Sequence, residues 1–591
     1  MVCFCLLSFI IVNKSEFCGE GSFLTIQGKE KESKIEAIKR QSRYLRGTIK
    51  EALQDGKPMF SEEDIQVLKF HGVYQQDDRD LRSKLVKEGK EKHYSMMIRA
   101  RIPGGVLSPD QYLVFDRLAS EYSEYGTLRI TTRQTLQLHG ILKGNLKTAI
   151  QSLNEALITT LGACGDSGRN IICCAKPGDE PFRDEMREDL LALTDRLSAK
   201  TNAYHEIWLD GEPVRLSDGE TEEPLYGEVY LPRKFKVAIV PEGDNCLDVY
   251  DNDIGLVAHI EDGRVAGYTV LAGGGMGRTA VDQSTYPRLA SPLCYVSRKD
   301  VVDTILDTCV AIVTIERDFG DRSNRRFARM KYLIDRRGPD WFRQEVEARL
   351  GRKLEPPRTL QWHNGHDHLG WHRERDGTSF LGLFVPYGRI KDTENMQLKS
   401  VLRDLVLEFR PTVRFTAQQN VILSGIPDEL RPAVEERLRS AGVPLPQELS
   451  TVRQNTMACV ALPTCGLALA ESERALPDLL PPFERLFEEL GLAGETVTIR
   501  MTGCANGCAR PYNANIAFIG RASGKYDIFL GGSALGTALN ERFREAVPFD
   551  RLVDAVRPVL EAFAHEREQG EDFGSYWRRV GLERFRSAGN A

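Results

Sequence analysis

The stretch MTGCANGCAR, Met501 to Arg510, sets Cys504 and Cys508 three residues apart among glycines and an asparagine, with little that could pack a core. Upstream, NTMACVALPTCGLALAESE carries Cys459 and Cys465 with five residues between them, and 38 residues separate that pair from the next. Four thiolates drawn around one centre suit either zinc or an iron–sulfur cluster. Zinc pairs favour two to four intervening residues. The longer gap here, with its apolar stretch Val460 to Leu462, fits a zinc knuckle less well. Gly503 and Gly507 permit unusual backbone dihedrals and close approach to a bulky inorganic group, and Ala505 and Asn506 can turn tightly and offer amides to sulfur. A cluster is the better reading of the four.

A second set of residues is cationic. MMIRARIPGG places Arg99 and Arg101 two apart, on one face of an expected strand; LRITTR supplies Arg129 and Arg133; DSGRN supplies Arg169 in a turn; LPRKFK supplies Arg233, Lys234 and Lys236. One charged strand residue alone reads as a solvated edge. As a set, flanked by apolar runs such as Met96 to Ile98 and Val237 to Val240, they read as an enclosed anion site. Arginine matches carboxylates through its planar fork and lysine is a movable point charge that can donate a proton, so the collection suits an acid-rich macrocycle together with a small oxyanion.

The elements that must position these residues are duplicated. TLRITTRQTLQLHGI (Thr127 to Ile141) aligns without gaps to TVRFTAQQNVILSGI (Thr412 to Ile426), each a strand, polar turn and strand after a helical segment. GYTVLAGGGMGRTA (Gly267 to Ala280) and KYDIFLGGSALGTA (Lys525 to Ala538) form a weaker second pair in the same order. Two such repeats imply pseudo-twofold symmetry and a site shared between halves, with the four cysteines on one side and the cations on the other. The run Gly273 to Gly277 lacks the spacing of a dinucleotide fingerprint and is matched in the repeat, so it reads as a structural turn.

Composition bounds the rest. The 591 residues are 41% apolar and 28% charged, enough for a globular chain of roughly three to four domains. A net charge of -6 argues against broad nucleic-acid or membrane-surface binding. Thirteen cysteines, an odd number, suit a reducing compartment rather than a disulfide scaffold. Cys164, Cys173, Cys174, Cys246, Cys294 and Cys309 are expected to pack as small hydrophobes. The apolar start MVCFCLLSFIIV is about half of the roughly 20 residues a membrane span needs, and no basic residue precedes it.

The four-cysteine pattern, the duplicated module and LPRKFK, together with FHGVYQQDDRD, ARIPGGVLSPDQY, EIWLD and EREQGEDFGSYWRRVG, resemble the siroheme-containing nitrite and sulfite reductase family, most nearly its assimilatory NADPH-dependent branch. The likeness covers nearly all of the chain beyond the first 40 or so residues. It implies an α+β fold: a disordered or mis-assigned start (1–28), an N-terminal arm (29–95), a ferredoxin-like half-domain (96–160), a siroheme- and substrate-binding domain (161–350), a linker (351–365), a second ferredoxin-like half-domain (366–440) and a cluster- and siroheme-binding domain (441–591). It implies one 4Fe-4S cluster per chain on Cys459, Cys465, Cys504 and Cys508, and one siroheme whose axial ligand is Cys508. Arg99, Arg169, Lys234 and Lys236 would bind sulfite, and Arg129, Arg133, Arg233 and His139 would hold the macrocycle. The implied activity is six-electron reduction of sulfite to sulfide for cysteine biosynthesis, in the cytoplasm. Electrons would come from NADPH through a flavoprotein (alpha) subunit carrying FAD and FMN, with no nucleic-acid or membrane partner. Nitrite reduction and a ferredoxin donor are the alternatives; Lys236, where nitrite enzymes tend to have Asn, favours sulfite. Gly466 and Ala505 stand where the family often has proline after a cluster cysteine.

Overall fold

The computed structural model describes residues 32–178, 180–212, 221–280, 282–298, 302–374 and 377–586. The expected start at 1–28 lies outside them. The two copies of the duplicated strand-turn-strand module each build a five-stranded sheet, and each sheet borrows its last strand from the other half. In the first, Val73–Asp77, Tyr94–Arg99, Leu136–Ile141 and Leu128–Ile130 are completed by Arg389–Ile390. In the second, Gly370–Arg373, Thr378–Leu383, Val421–Pro427 and Thr412–Phe415 are completed by Val106–Leu107. The borrowed strands follow matching one-turn segments, Pro103–Gly105 and Pro386–Gly388, whose backbones turn left-handed at Gly104 and Tyr387.

The helices that cover the sheets follow from local signals. Ser108 accepts from the Gln111 amide and Gln111 returns the bond, a capping box that starts Pro109–Tyr122 with proline in its first turn. Its buried stripe, Tyr112, Phe115, Leu118 and Ala119, packs against the counterpart Leu398–Phe409, which buries Val401, Leu402, Leu405 and Val406. The helix Pro339–Leu350, which leads into the linker, is ended by Gly351 in the left-handed conformation (φ 65°) before Pro356 and Pro357 are reached. A glycine cap, not the prolines of the linker, stops this helix.

Each half continues into a larger five-stranded sheet of the same topology. The first runs Ile172–Cys173, Val237–Pro241, Ile254–Glu261, Arg264–Ala272, Ser291–Ser297; the second runs Thr456–Ala458, Ile499–Thr502, Ile516–Ala522, Lys525–Leu530, Glu541–Pro548. In both, the first three strands are parallel and the remaining pairings antiparallel. The register fixes the equivalence residue by residue. Val237 lies opposite Ile254 as Ile499 lies opposite Ile516, so the loops between have one length. Residues at matching places in these loops then touch across the pseudo-axis. Asp248 pairs with Arg510 at 2.9 Å, and Asn513 donates to Asp251 at 3.1 Å. Both Asp248 and Arg510 have left-handed backbones. One core spans the two exchanged sheets and the first large sheet; another fills the region from Val452 to Phe585.

Candidate active site

The site forms where the first half's turns meet the second half's cysteine loops. In the turn after Leu128–Ile130, Gln134 adopts positive φ (53°), as its repeat partner Gln419 does (72°). Each glutamine reaches back to pin the leading strand of the large sheet that follows it: Gln134 bonds the Cys173 carbonyl at 2.8 Å and Gln419 the Ala458 carbonyl at 3.0 Å. The first turn also touches the cysteine loop, Thr132 Oγ1 donating to the Cys508 carbonyl at 3.0 Å.

The four cysteines converge. Burial and then the neighbouring Cys508 sulfur push the thiols of Cys459, Cys465 and Cys504 up, Cys504 to about 12. Amide donors already point at sulfur: Gly503 N–H to Cys459 Sγ at 3.3 Å and Asn506 Nδ2 to Cys504 Sγ at 3.4 Å. The loop is backed by the glycine run of the first half: a side chain at Gly507 (φ 70°) would meet the Met276 carbonyl at 3.1 Å, and Arg278 N–H donates to the Ala505 carbonyl at 3.2 Å. From the N-terminal arm, Arg79 caps the Cys465 loop, with Nη1 2.5 Å from the Ala468 carbonyl and 3.3 Å from that of Cys465. A single tetrahedral ion draws its thiolates to within about 4 Å of each other. Among the described residues, no three of these four sulfurs come within 4.8 Å of one another.

The cations face Cys508 from the first half. The parallel bridge between Gly168 and Phe235, with Arg169 N–H donating to the Phe235 carbonyl at 2.9 Å, sets Arg169 beside Lys234 and Lys236. Arg99, at the end of its strand, has Nη1 3.1 Å from Cys164 Sγ. Arg133 is held by Asn252 Oδ1 at 2.5 Å and the Val237 carbonyl at 2.8 Å, leaving its buried Nε without a partner. Burial, with neighbouring Arg169, Arg510 and Arg329 against Asp253, lowers its pKa to about 9. Burial lowers Lys234 strongly, and Arg233, Lys236 and Arg329 add to it. Lys236 falls to about 7 through burial, Arg133 and Arg329, opposed by Asp253 and Asp251. Among the described residues neither ammonium has a hydrogen-bond acceptor on the protein. Arg233 reaches only Asp166, at 3.9 Å. Burial also lowers His139, whose Nδ1 meets Gln76 at 3.1 Å and whose buried Nε2 is unpartnered. This crowd of underpartnered positive charge calls for an anion of several charges.

Two expected placements change. The strand ends at Arg99, so Arg101 leaves that face and is buried beside Gly162 and Tyr226. Arg129 is 1% exposed and its guanidinium is engaged by Glu473 at 2.8 Å and by the carbonyls of Ala458 (2.9 Å) and Ile130. Glu473 also pairs with Arg389, the cross-strand neighbour of Arg129. In this arrangement Arg129 steadies the strand leading to Cys459. The sequence reading also missed Arg329, locked to Asp253 at 2.8 Å beside the lysines; FARMKYLI around it carried no pattern that could have signalled the role.

Comparisons with known proteins give the chain's family. The model of the nitrite/sulfite reductase ferredoxin-like half domain matches residues 88–156 and 372–441, the two strand-exchanging modules. That of the nitrite and sulphite reductase 4Fe-4S domain matches 192–354, in the first large sheet rather than around the four cysteines. A sulfite reductase [NADPH] hemoprotein beta-component of Staphylococcus carnosus is 45% identical over 93% of this chain and 95% of its own. The chain belongs to the nitrite/sulfite reductase family. It is an oxidoreductase of that family. A Geobacillus thermodenitrificans beta-component is 44% identical over 93% of this chain and 96% of its own. The solved Mycobacterium tuberculosis NirA protein shares the duplicated α+β fold, with a TM-score of 0.76 and 24% identity over 93% of this chain and 97% of that one. Family membership implies iron–sulfur and heme-type cofactors, and the four thiols and the cations that face Cys508 fit them. Among the described residues no helix is long and apolar enough to cross a membrane.

Proposed function

We propose that the chain is the hemoprotein subunit of an assimilatory sulfite reductase, reducing sulfite to sulfide with six electrons and releasing three oxygens as water. The observation that carries the reading is the juxtaposition of the four-thiol loop with a cation set that includes two half-buried lysines lacking acceptors among the described residues. Cys459, Cys465, Cys504 and Cys508 would hold a 4Fe-4S cluster, and Cys508 would also help hold siroheme. When bound, the two groups would supply electron storage and an iron able to take the substrate.

The chain's own residues supply the rest. Arg133, Arg233 and His139 offer unpaired or weakly paired donors to the macrocycle's carboxylates. Arg129 acts from behind, through Glu473 and the Ala458 carbonyl, to hold the cluster strand. Arg99, Arg169, Lys234 and Lys236 neutralise the oxyanion. Lys236, lowered to about 7, can give up a proton near neutrality as each sulfur–oxygen bond breaks. An arriving anion raises the pKa of Lys236, so binding and protonation reinforce each other. The relatives' names, sulfite reductase [NADPH] hemoprotein beta-component, support NADPH as ultimate donor and a second subunit; the same proposal makes that partner an alpha flavoprotein carrying FAD and FMN, and the chain a cytoplasmic enzyme serving cysteine biosynthesis.

The test is the visible spectrum of the purified chain with iron and acid-labile sulfide measured on the same sample, followed by turnover of sulfite and nitrite with a chemical reductant. Siroheme bands with about five irons per chain and preference for sulfite are expected. A colourless, iron-free protein from siroheme-producing cells would overturn the reading.

A further inference from the structure

Two cysteines expected to pack as small hydrophobes do pack in a small apolar cluster, and they also meet a carboxylate and an imidazole there. Cys174, Asp244, Cys246 and His368 bring one ligand-type atom each within 4.8 Å of one another, among the described residues the one group of three or more to do so. Cys174 Sγ lies 3.5 Å from Asp244 Oδ2 and 3.7 Å from His368 Nε2, and His368 Nε2 lies 3.1 Å from Asp244 Oδ2. A tetrahedral zinc ion with bonds of about 2.3 Å to sulfur and about 2.0 Å to nitrogen and oxygen sets these separations at about 3.5 Å, 3.5 Å and 3.3 Å. The side chains stand at ion-binding spacing.

The duplication gives the cluster an independent meaning. Ile172 lies opposite Ala238 as Met457 lies opposite Arg500, so Cys174 occupies the place of Cys459. The equal-length loops put Cys246 at the place of Cys508. Two of the four cysteines that converge in the second half therefore have mates in the first. There, Asp244, at the place of Asn506, and His368 complete the group.

The ligands are also oriented from behind. Asp244 Oδ1 accepts from Asn364 Nδ2 at 2.9 Å and from Cys246 N–H at 3.1 Å, which turns Oδ2 toward Cys174 and His368. The Cys246 carbonyl accepts from Gln418 at 3.1 Å. Asp367, beside His368, accepts from Asn420 at 2.9 Å and from Thr416 in the second half's repeat turn. A cleft lined by Cys174, Lys176, Arg183 and Arg414 borders the group.

We propose that Cys174, Cys246, His368 and Asp244 bind one structural Zn²⁺, a staple between the first half, which supplies three ligands, and the second, which supplies His368 just beyond the linker. On binding, the two thiols lose their protons to solvent and four protein ligands close the coordination shell, leaving no position for substrate.

The experiment measures zinc and iron together on the purified holoenzyme after passage over a chelating resin. About one zinc per chain is expected in the wild type. Cys246→Ser and His368→Ala should lose zinc by about tenfold or more while keeping their iron. Cys504→Ser should lose iron and keep zinc, which separates this site from the cluster. A zinc-free wild type in which Cys174 and Cys246 are joined as a disulfide, or both alkylate freely, would overturn the proposal, whatever the variants do. Zinc retained in both Cys246→Ser and His368→Ala would overturn it equally.

Discussion

Glu473 is a residue away from the cysteines whose loss the structure makes costly. Its carboxylate bridges Arg129 at 2.8 Å and Arg389 at 2.7 Å, with side-chain exposures of 12% for Glu473, 1% for Arg129 and 14% for Arg389. The bridge joins a strand of one repeat to the strand lent by the other, and Glu473 N–H also bonds the Cys459 carbonyl at 3.2 Å. Glu473→Gln keeps the shape and removes the charge, so two arginines are left facing each other in a buried setting. Breaking a buried ion pair from one side costs about 3–5 kcal/mol. The arginines depress the Glu473 carboxyl against its burial, and burial with Arg389 lowers Arg129, so both partners have something to lose. A chain of this size unfolds in several steps, so the readout is the urea midpoint of the transition that releases cluster absorbance. We expect that transition to move to lower urea by the equivalent of a few kcal/mol, with iron content reduced at purification. Arg389→Met in the Glu473→Gln background should then cost less than it does alone, giving a coupling energy of about 1–3 kcal/mol. A midpoint shift worth under about 1 kcal/mol, the scale of a surface pair, would refute the reasoning.

Three further outcomes follow from the same geometry. Cys508→Ser should remove the siroheme and cluster bands, while the cofactor-free fold, in which this exposed side chain has no hydrogen-bond partner among the described residues, changes by no more than about 0.5 kcal/mol; unchanged colour would contradict the proposed part of Cys508 in holding the cofactors. Lys236→Ala should keep the bands and lower sulfite turnover by about 10²–10³-fold, read by steady-state kinetics. In cofactor-free chain from siroheme-deficient cells, Lys236 binds a proton more weakly folded (about 7) than unfolded (10.5), so its penalty is full below pH 7 and fades as pH rises toward the unfolded value. Melting temperature should therefore rise between about pH 7 and 8.5 in the cofactor-free chain, and more than in its Lys236→Met variant; equal slopes would remove lysine desolvation as the cause.

Much of this was legible in the sequence because the duplication preserved spacing. The aligned turns around Gln134 and Gln419 do adopt the same unusual backbone, and the glycine runs do serve as turns, one of them seating the loop of Cys504 and Cys508. The four cysteines stood out through glycine neighbours and gap lengths alone. What stayed hidden depends on partners far along the chain. The fate of Arg129 is set by a glutamate 344 residues away, and Arg101 turns aside because its strand stops two residues early. Cys174 and Cys246 lie in apolar surroundings that read as packing, and their mates Cys459 and Cys508 become visible only once strand register is known.

The exchange of edge strands bears on how the chain is made. During synthesis the first sheet's strand Leu128–Ile130 has an open edge until Arg389–Ile390 has emerged, some 260 residues later, and Val106–Leu107 waits for Thr412–Phe415 in the same way. An unpaired edge is a template for the wrong partner, including a neighbouring nascent chain. Neither half can finish folding on the ribosome by itself. The two repeats are joined less like beads on a string than like the subunits of an obligate dimer tethered end to end, and the linker's first service is to keep the right partner at hand.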